Sequence, residues 1–408
     1  MNNAIARFRS RFPALSQQVY GKPLVYFDNA ATSQRPDCVL EMQRIMSEQA
    51  CANVHRAVHR LATDATELYQ LGREAAAAFI GAPSAEEVIF TSGTTAAINL
   101  VANCYTRRFL SKGDKILVTE AEHHSNIVPW QLACEMYGTS LVVAPVKEDC
   151  SLDMEAFRRL LADGVKLVAV AHVTNVPGVE YPLQEIISAA HQAGSAVLVD
   201  GAQGIIHGKV DVSALGCDFY AFSGHKIYAP TGIGVLYGRR DLLEQMPPYM
   251  GGGDMVDRVS FEKTTYGPLP LKFEAGTQNI AAAACLAPAL KLAAEVQQSR
   301  ELRDNLTAAE ALMAEQLATI EGLHCPSLHN PARKGIFSFF IDGVHPTDAA
   351  QIMDKMGVAV RTGFMCAEPF VRKYSQQGMM RASLMPYNTP EEVLIFMEAL
   401  RRAIKMLR

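Results

Sequence analysis

Three segments place residues of catalytic type where predicted strands end. Lys226 lies between the strand DFYAFS and a Gly/Pro-rich turn, and Asp200 ends the buried strand AVLVD. Thr94 and Thr95 of TSGTTAAINL stand where a strand turns into a helix. Open α/β sheets bind ligands at the carboxyl ends of their strands, and helix N-termini attract anions. We therefore expect these residues to share one site.

The three groups together match one cofactor. A lysine amine can form a Schiff base, a carboxylate can hold a pyridinium nitrogen, and N–H and hydroxyl groups at a helix N-terminus can bind a phosphate. Each feature alone has a structural explanation: a helix cap for the threonines, a strand-end cap for Asp200, a solvated loop side chain for Lys226. Their combination predicts a pyridoxal phosphate (PLP) site.

Composition excludes several other classes of protein. Hydrophobic residues make up 49% and charged residues 20% of the 408 residues, and the formal charge of -4 offers no field for nucleic acid or an anionic membrane. Apolar stretches such as 165–173 are shorter than the ~20 residues that span a bilayer, and the N-terminus lacks a secretory signal. We expect a cytoplasmic enzyme. His55 and His59 have a zinc-like spacing but no third ligand, so we predict no metal.

The elements that position these residues read as an α/β protein. From about residue 70 to 240, short β-branched runs alternate with amphipathic segments, which predicts a mainly parallel sheet covered by helices. We predict a large domain over 21–275 and a smaller α+β domain over 276–408 that carries a cysteine loop. Residues 1–20 are expected to pack with the small domain.

The motifs along nearly the whole chain resemble a known family. They are YFDNAAT, NVHR, AEHHSNIVPWQ, DGAQG, FSGHKIYAPTGIGVLYG, FEAGTQN and RASLMPYNT. They are similar to those of the class-V PLP-dependent aminotransferase family, within it the Suf-type (group II, SufS/CsdA-like) cysteine desulfurases. The resemblance implies aminotransferase fold type I, with a large, mainly parallel sheet of the seven-stranded type.

The resemblance also assigns roles around the PLP ring. Lys226 would bind PLP covalently and Asp200 would keep its pyridine nitrogen protonated. His123 would stack on the ring, whereas its neighbour His124 is expected to be structural. The residues that would hydrogen-bond the O3′ edge of the ring are Asn175 and Gln203.

The resemblance implies a phosphate site shared between two subunits. Thr94, Thr95, Ser223 and His225 would hold the phosphate, and Thr277 of FEAGTQN would reach in from a second subunit. The protein is therefore expected to be a homodimer.

Arg381 matches the arginine of the family that binds the substrate α-carboxylate, for which a planar guanidinium is suited. Asn53 and Arg56 of NVHR are expected to line the same entrance. Cys366 falls at the position of the nucleophile in the family.

This chain departs from its relatives next to that cysteine. Relatives usually carry at least one histidine in the two preceding positions, where this chain has Phe364 and Met365. The loss of a titratable group leaves open how Cys366 is deprotonated. The thiolate is the reactive form of cysteine and is favoured by nearby positive charge, for which Arg361 is our candidate.

The implied reaction converts L-cysteine to L-alanine and leaves a persulfide on Cys366. The sulfur would pass to an acceptor protein of the SufE or SufU type for iron-sulfur cluster assembly. L-selenocysteine is an alternative substrate. Two other hypotheses stay open: another class-V PLP enzyme (aminotransferase, epimerase or β-lyase), and a weakly catalytic scaffold for sulfur-transfer proteins.

Overall fold

The computed structural model describes residues 3–55 and 58–408. The helices are α1 Asn3–Ser10, α2 Asp37–Glu48, α3 Arg60–Ile80, α4 Thr94–Phe109, α5 Val128–Tyr137, α6 Met154–Leu161, α7 Leu183–Gln192, α8 Gly204–His207, α9 Val212–Leu215, α10 Arg240–Gln245, α11 Ile280–Ala284, α12 Leu286–Gln298, α13 Arg300–Leu317, α14 Pro346–Asp354, α15 Glu368–Val371 and α16 Pro390–Leu407. Short 3-10 helices cover Pro13–Ser16, Ala85–Glu87, His124–Asn126, Gly224–Lys226 and Leu271–Phe273. The strands are β1 Gln18–Val19, β2 Lys22–Pro23, β3 Val25–Tyr26, β4 Val88–Thr91, β5 Lys115–Thr119, β6 Ser140–Ala144, β7 Val165–Ala171, β8 Ala196–Asp200, β9 Phe219–Ser223, β10 Gly234–Gly238, β11 Val256–Val259, β12 Thr264–Tyr266, β13 Leu323–His324, β14 Ile336–Ile341, β15 Val358–Ala359, β16 Arg361–Gly363 and β17 Met379–Ser383.

A seven-stranded sheet forms the centre of the molecule. Its order is β4-β10-β9-β8-β7-β5-β6. The pairs β9–β8–β7–β5–β6 are parallel, and β10 is antiparallel to both of its neighbours. The prediction of a large, mainly parallel sheet is confirmed. Because β4 and β9 are both antiparallel to β10, β4 runs in the same direction as the parallel strands and ends at the same edge.

The composition of these strands explains why they lie in the core. Strands β7, β8 and β9 are near-continuous runs of Val, Leu, Ala and Phe and are buried along most of their length. Such runs are typical of parallel strands that helices cover on both faces. The rigid sheet then holds the loops at its carboxyl edge in fixed positions.

A second, four-stranded antiparallel sheet lies towards the end of the chain, in the order β13-β14-β17-β16. Helices α13, α14 and α16 pack with it around a separate hydrophobic core. A capping box between Thr389 and Glu392 starts α16. Strand β17 and the loop after β16 carry two of the candidate site residues.

Early segments of the chain also contact this second core. Strand β3 pairs with β15, and α1 packs against α13. Arg9 of α1 forms an ion pair of 2.8 Å with Glu392 of α16. The division into domains at 20/21 and 275/276 stays a prediction.

The stretch Ile280–Gln298 is apolar and long enough to cross a membrane by length and composition alone. In the fold it forms α11 and α12, which pack against α2 and α3. Helices α3 and α11 approach so closely that a Cβ on Gly72 would lie 2.1 Å from the carbonyl oxygen of Ala283. This contact places the stretch in a protein core.

Candidate active site

A cavity of about 240 Å³ lies at the carboxyl edge of the central sheet. It is lined by Ala30, Ala31, Thr94, Thr95, His123, Ser125, Ala171, Val173, Asn175, Asp200, Ala202, Gln203, Ser223, His225, Lys226, Arg361, Met365, Cys366 and Arg381. Loops after five strands of the central sheet and segments around the second sheet contribute to it. The cavity is therefore assembled from both sheets.

Lys226 ends the 3-10 helix that follows β9 and lines this cavity. Burial, against the opposing charge of Asp200 and together with the positive charge of Arg381, lowers the pKa of Lys226 to about 8. A substantial fraction of the amine is then neutral, and hence nucleophilic, near neutral pH.

Asp200 is the last residue of β8, is buried, and accepts a 2.9 Å hydrogen bond from the Ala202 amide at Oδ1. Burial raises the pKa of Asp200, while the positive charge of Lys226 opposes the rise. The following glycine makes room for the turn, because a Cβ on Gly201 would lie 2.2 Å from the Tyr220 ring. A cation placed beside Asp200 would be strongly favoured in this setting.

The N-terminus of α4 forms one end of the cavity. The Thr94 amide and hydroxyl both lie 2.8 Å from the hydroxyl of Ser223, which ends β9. The hydroxyls of Thr95 and Ser125 are 2.7 Å apart. Hydroxyls beside the positive end of a 16-residue helix are suited to an anion, and their role in holding a phosphate stays a prediction.

His123 follows β5 and precedes the 3-10 helix at His124. Its Nδ1 accepts a 3.0 Å hydrogen bond from the Ser125 amide, which places the proton of the neutral ring on Nε2. Burial lowers the pKa of His123 to about 3, with a further contribution from the charge of Lys226. The ring is therefore neutral at physiological pH.

Asn175 and Gln203 also line the cavity, and both are buried. Gln203 donates a 2.7 Å hydrogen bond to the Ala30 carbonyl. Asn175 donates a bond of the same length to the Met365 carbonyl, and its Oδ1 has no partner among the described residues. A free, buried acceptor therefore lines the cavity at Asn175.

Arg381 of β17 is 3% exposed. Its Nη1 donates a 3.0 Å hydrogen bond to the Asn175 carbonyl, its Nη2 lies 3.7 Å from Asp28, and Nε is without a partner in the described chain. Burial lowers the pKa of Arg381 to about 10 even though Asp28 raises it. An under-compensated buried guanidinium at a cavity wall is suited to bind a ligand carboxylate.

Cys366 is exposed and follows β16, on a loop that reaches the cavity. A negative charge on Cys366 would raise the pKa of each of the nearby cations Lys226, Arg361 and Arg381. Arg361, our candidate, is also held by two hydrogen bonds to Asp28, of 2.9 and 3.2 Å. Its charge is thus partly compensated.

Two predicted positions do not line the cavity, and a third is not described. Asn53 is exposed and its side chain accepts a hydrogen bond from the next amide, of Val54. Thr277 is exposed. Arg56 lies outside the described residues.

Sequence reasoning missed Asp28, Ser125 and the contacts of His124. Asp28 pairs with two arginines that come more than 300 residues later. The only signal was its place in the YFDNAAT motif, which the resemblance had quoted without a role. Of the two zinc-like histidines, His59 caps α3 by accepting from the Ala62 amide, and the described residues contain no cluster of three or more metal-ligating side chains.

Comparisons with known proteins agree with this geometry. The family description "Aminotransferase class-V" matches residues 25–396. The chain belongs to the class-V aminotransferase family. A probable cysteine desulfurase of Vibrio cholerae is 45% identical over 98% of both chains, and a cysteine desulfurase of Yersinia pestis is 44% identical over 100% of both.

The solved structures include a close neighbour of this class-V enzyme. The cysteine desulfurase CsdA from Escherichia coli superposes with a TM-score of 0.90 at 37% identity, covering 99% of each chain. Within the class-V aminotransferases the chain therefore groups with the cysteine desulfurases, which are PLP-dependent enzymes.

The residues of this class-V enzyme fit PLP on structural grounds. Asn175 Oδ1, His225 Nδ1 and Arg381 Nε are buried without partners among the described residues, and all three side chains line the cavity. Native proteins rarely leave such atoms unsatisfied, so a polar ligand is expected there. The amine of Lys226, the carboxylate of Asp200 and the anion site at α4 supply the contacts that PLP needs.

Proposed function

We propose that this protein converts L-cysteine to L-alanine and collects the sulfur as a persulfide on Cys366. One observation carries the proposal: Cys366, from the loop of the second sheet, lines the same cavity as Lys226 and Asp200 of the central sheet. A PLP enzyme that only moved amino groups or protons would have no use for an exposed thiol there.

Bound PLP would supply an electron sink for the bonds at the α-carbon of the substrate. Lys226 Nζ, whose pKa is lowered to about 8, is suited to take the α-proton and return it. Asp200 would hold the proton on the ring nitrogen. Arg381 would bind the substrate carboxylate and so orient the thiol group towards Cys366.

In the sulfur-transfer step the Cys366 thiolate attacks the substrate sulfur. A bond forms between the two sulfur atoms and the bond between carbon and sulfur breaks. The electron pair of the broken bond stays with the carbon, which takes up a proton and becomes the methyl group of alanine.

The test is alanine release from L-cysteine by the purified holoprotein, with and without a reductant. We expect Cys366→Ser to keep the visible absorbance of bound PLP and to lose alanine release, whereas Cys51→Ser, at another exposed cysteine, behaves as wild type. Mass spectrometry should find the Cys366 peptide heavier by one sulfur atom after reaction without reductant. Equal alanine release by wild type and Cys366→Ser would reject the proposal.

The protein would act as a homodimer, with Thr277 completing the phosphate site of the second copy. Support comes from the exposure of Thr277, which in its own chain lies outside the cavity. Light scattering should give twice the chain mass, and Thr277→Ala should weaken PLP binding without changing that mass. A monomer that binds PLP at full strength would overturn this part.

The acceptor would be a protein of the SufE or SufU type, in the cytoplasm, with iron-sulfur cluster assembly as the destination of the sulfur. An exposed cysteine can pass its persulfide to the thiol of a docked protein. Radiolabelled persulfide on Cys366 should move to one of the two acceptor types and not to serum albumin. Retention of the label with both would reject this assignment.

A further inference from the structure

The loop that carries Cys366 has a strained backbone. Met365 and Cys366 have φ angles of 48° and 55°, and neither is a glycine. The left-handed conformation is unfavourable for an L-residue, because its Cβ comes too close to the following carbonyl oxygen. Two such residues in succession persist only where surrounding contacts hold them.

Those contacts come from loops at the edge of the central sheet. The His124 amide donates a 2.6 Å hydrogen bond to the Cys366 carbonyl, and the His124 ring accepts a 3.0 Å bond at Nε2 from the Glu368 amide. His124 thus binds the loop at Cys366 itself and two residues beyond it. Asn175 holds the preceding residue through the Met365 carbonyl.

His124 is itself held in a fixed position. It begins the 3-10 helix His124–Asn126, two residues after the buried Glu122. That carboxylate accepts hydrogen bonds from Thr119, Asn126 and the amide of Ala171. The two hydrogen bonds of His124 with Cys366 and Glu368 form a clamp, which transmits the rigidity of β5 and β7 to the loop of the second sheet.

We propose that His124 is a positioning residue for Cys366: its ring holds the start of α15, and so keeps the thiol directed into the cavity. The inference rests on the proposed function, in which Cys366 is the nucleophile. Glu368 is the first residue of α15, where an amide has no partner within the helix. Without the ring acceptor the strained residues can relax towards ordinary φ values, which moves the thiol away from the cavity.

The experiment uses the holoenzyme. It distinguishes the loss of the hydrogen-bond acceptor on the His124 ring from the loss of the volume of that ring. His124→Leu removes the acceptor at similar size, and His124→Gln restores an acceptor at similar reach. Both keep the backbone amide. The matched control is His345→Leu, at an exposed histidine that precedes α14 and makes no capping bond with its side chain.

For His124→Leu we expect full PLP absorbance, a KM for L-cysteine within about twofold of wild type, and a kcat at least about tenfold lower. We also expect Cys366 to react with iodoacetamide several-fold faster, as measured on its peptide by mass spectrometry. His124→Gln should recover most of both changes, and His345→Leu should show neither. A purely structural role for His124 would lower the unfolding midpoint and leave the alkylation rate unchanged.

The proposal is overturned if His124→Leu matches wild type in kcat and alkylation rate, or if His124→Gln is as impaired as His124→Leu. Should His124→Leu fail to fold, hydrogen exchange on the wild type decides. The Glu368 amide should then exchange at least about tenfold more slowly than in an unstructured peptide, and unprotected exchange refutes the clamp. If wild type releases no alanine, the proposed function fails, and alkylation alone still tests the clamp.

Discussion

Two of the places where the protein buries charged side chains differ in how completely the charge is paired. Near α3, Glu274 binds Arg73 through two contacts of 2.7 and 2.8 Å and also accepts from Tyr69 and the Phe90 amide. Burial lowers the pKa of Arg73, but the charge and hydrogen bonds of Glu274 outweigh it, so the pKa lies above its ordinary value. This pair stabilises the fold.

In the cavity the balance is reversed. Burial has the largest effect on the pKa of Lys226, Asp200 and Arg381, and it shifts each pKa in the direction that favours the neutral form. Arg381 has no carboxylate of the described residues at hydrogen-bond distance, because Asp28 lies 3.7 Å away and is bound to Arg361. Buried charge without a close partner therefore indicates the place where a ligand binds.

The largest effect should come from breaking the pair of Arg73 and Glu274. Glu274→Gln leaves Arg73 buried and uncompensated, so we expect the free energy of unfolding to fall by about 3–5 kcal/mol. Urea denaturation of the holoprotein measures it. Glu41→Gln, in an exposed pair with Arg44, serves as the control and should give no measurable change. Equal losses of stability in Glu274→Gln and Glu41→Gln would show that the buried pair does not stabilise the fold more than the exposed pair.

A smaller effect, on function and not on stability, is expected from Arg381→Gln. Loss of a charge-assisted, two-bond contact with the substrate carboxylate should lower kcat/KM for L-cysteine about 100-fold, while PLP absorbance and the unfolding midpoint stay near wild type. Steady-state kinetics provide the measurement. Arg361→Gln should have a weaker effect, because Arg361 is exposed and already bound to Asp28. If Arg381→Gln mainly lowered the unfolding midpoint, Arg381 would have a structural role like that of Arg73.

The smallest effect is a displaced pH dependence. Because the pKa of Lys226 is about 8, its neutral fraction rises with pH below 8 and saturates above it. The measurement compares two rates at each pH: that of PLP rebinding to the apoprotein and that of PLP reacting with a free lysine analogue. The ratio of the first rate to the second should therefore fall above pH 8. Removing the charge in Arg381→Gln should shift this turning point upwards, since that charge lowers the pKa of Lys226. A ratio constant up to pH 10 would show an ordinary lysine.

Much of the fold and site could be predicted because the signals are local. The apolar runs of β7 and β8 are continuous in the chain, and Asp200 and Lys226 stand directly at or after strand ends. A parallel sheet brings such ends to one edge, so spacing along the chain sufficed to place them together. The PLP cavity follows from these facts, and the resemblance supplied Arg381 and Cys366.

Other features depend on contacts that no local pattern contains. Strand β10 inserts between β4 and β9, although β4 precedes it by more than 140 residues. Asp28 bridges two arginines of the second sheet, and Glu274 finds Arg73 about 200 residues earlier. The sequence around a polar side chain does not indicate its distant partner, because the two side chains pair only when the packing of their elements buries them together.

The nucleophile loop shows the same division. The chain itself determined that a cysteine follows a short strand, with Phe364 and Met365 directly before it. Only the tertiary structure decided that Met365 and Cys366 adopt left-handed conformations and that His124 holds them. Strain of this kind has no sequence signature, because it exists only while contacts from another part of the fold oppose its relaxation.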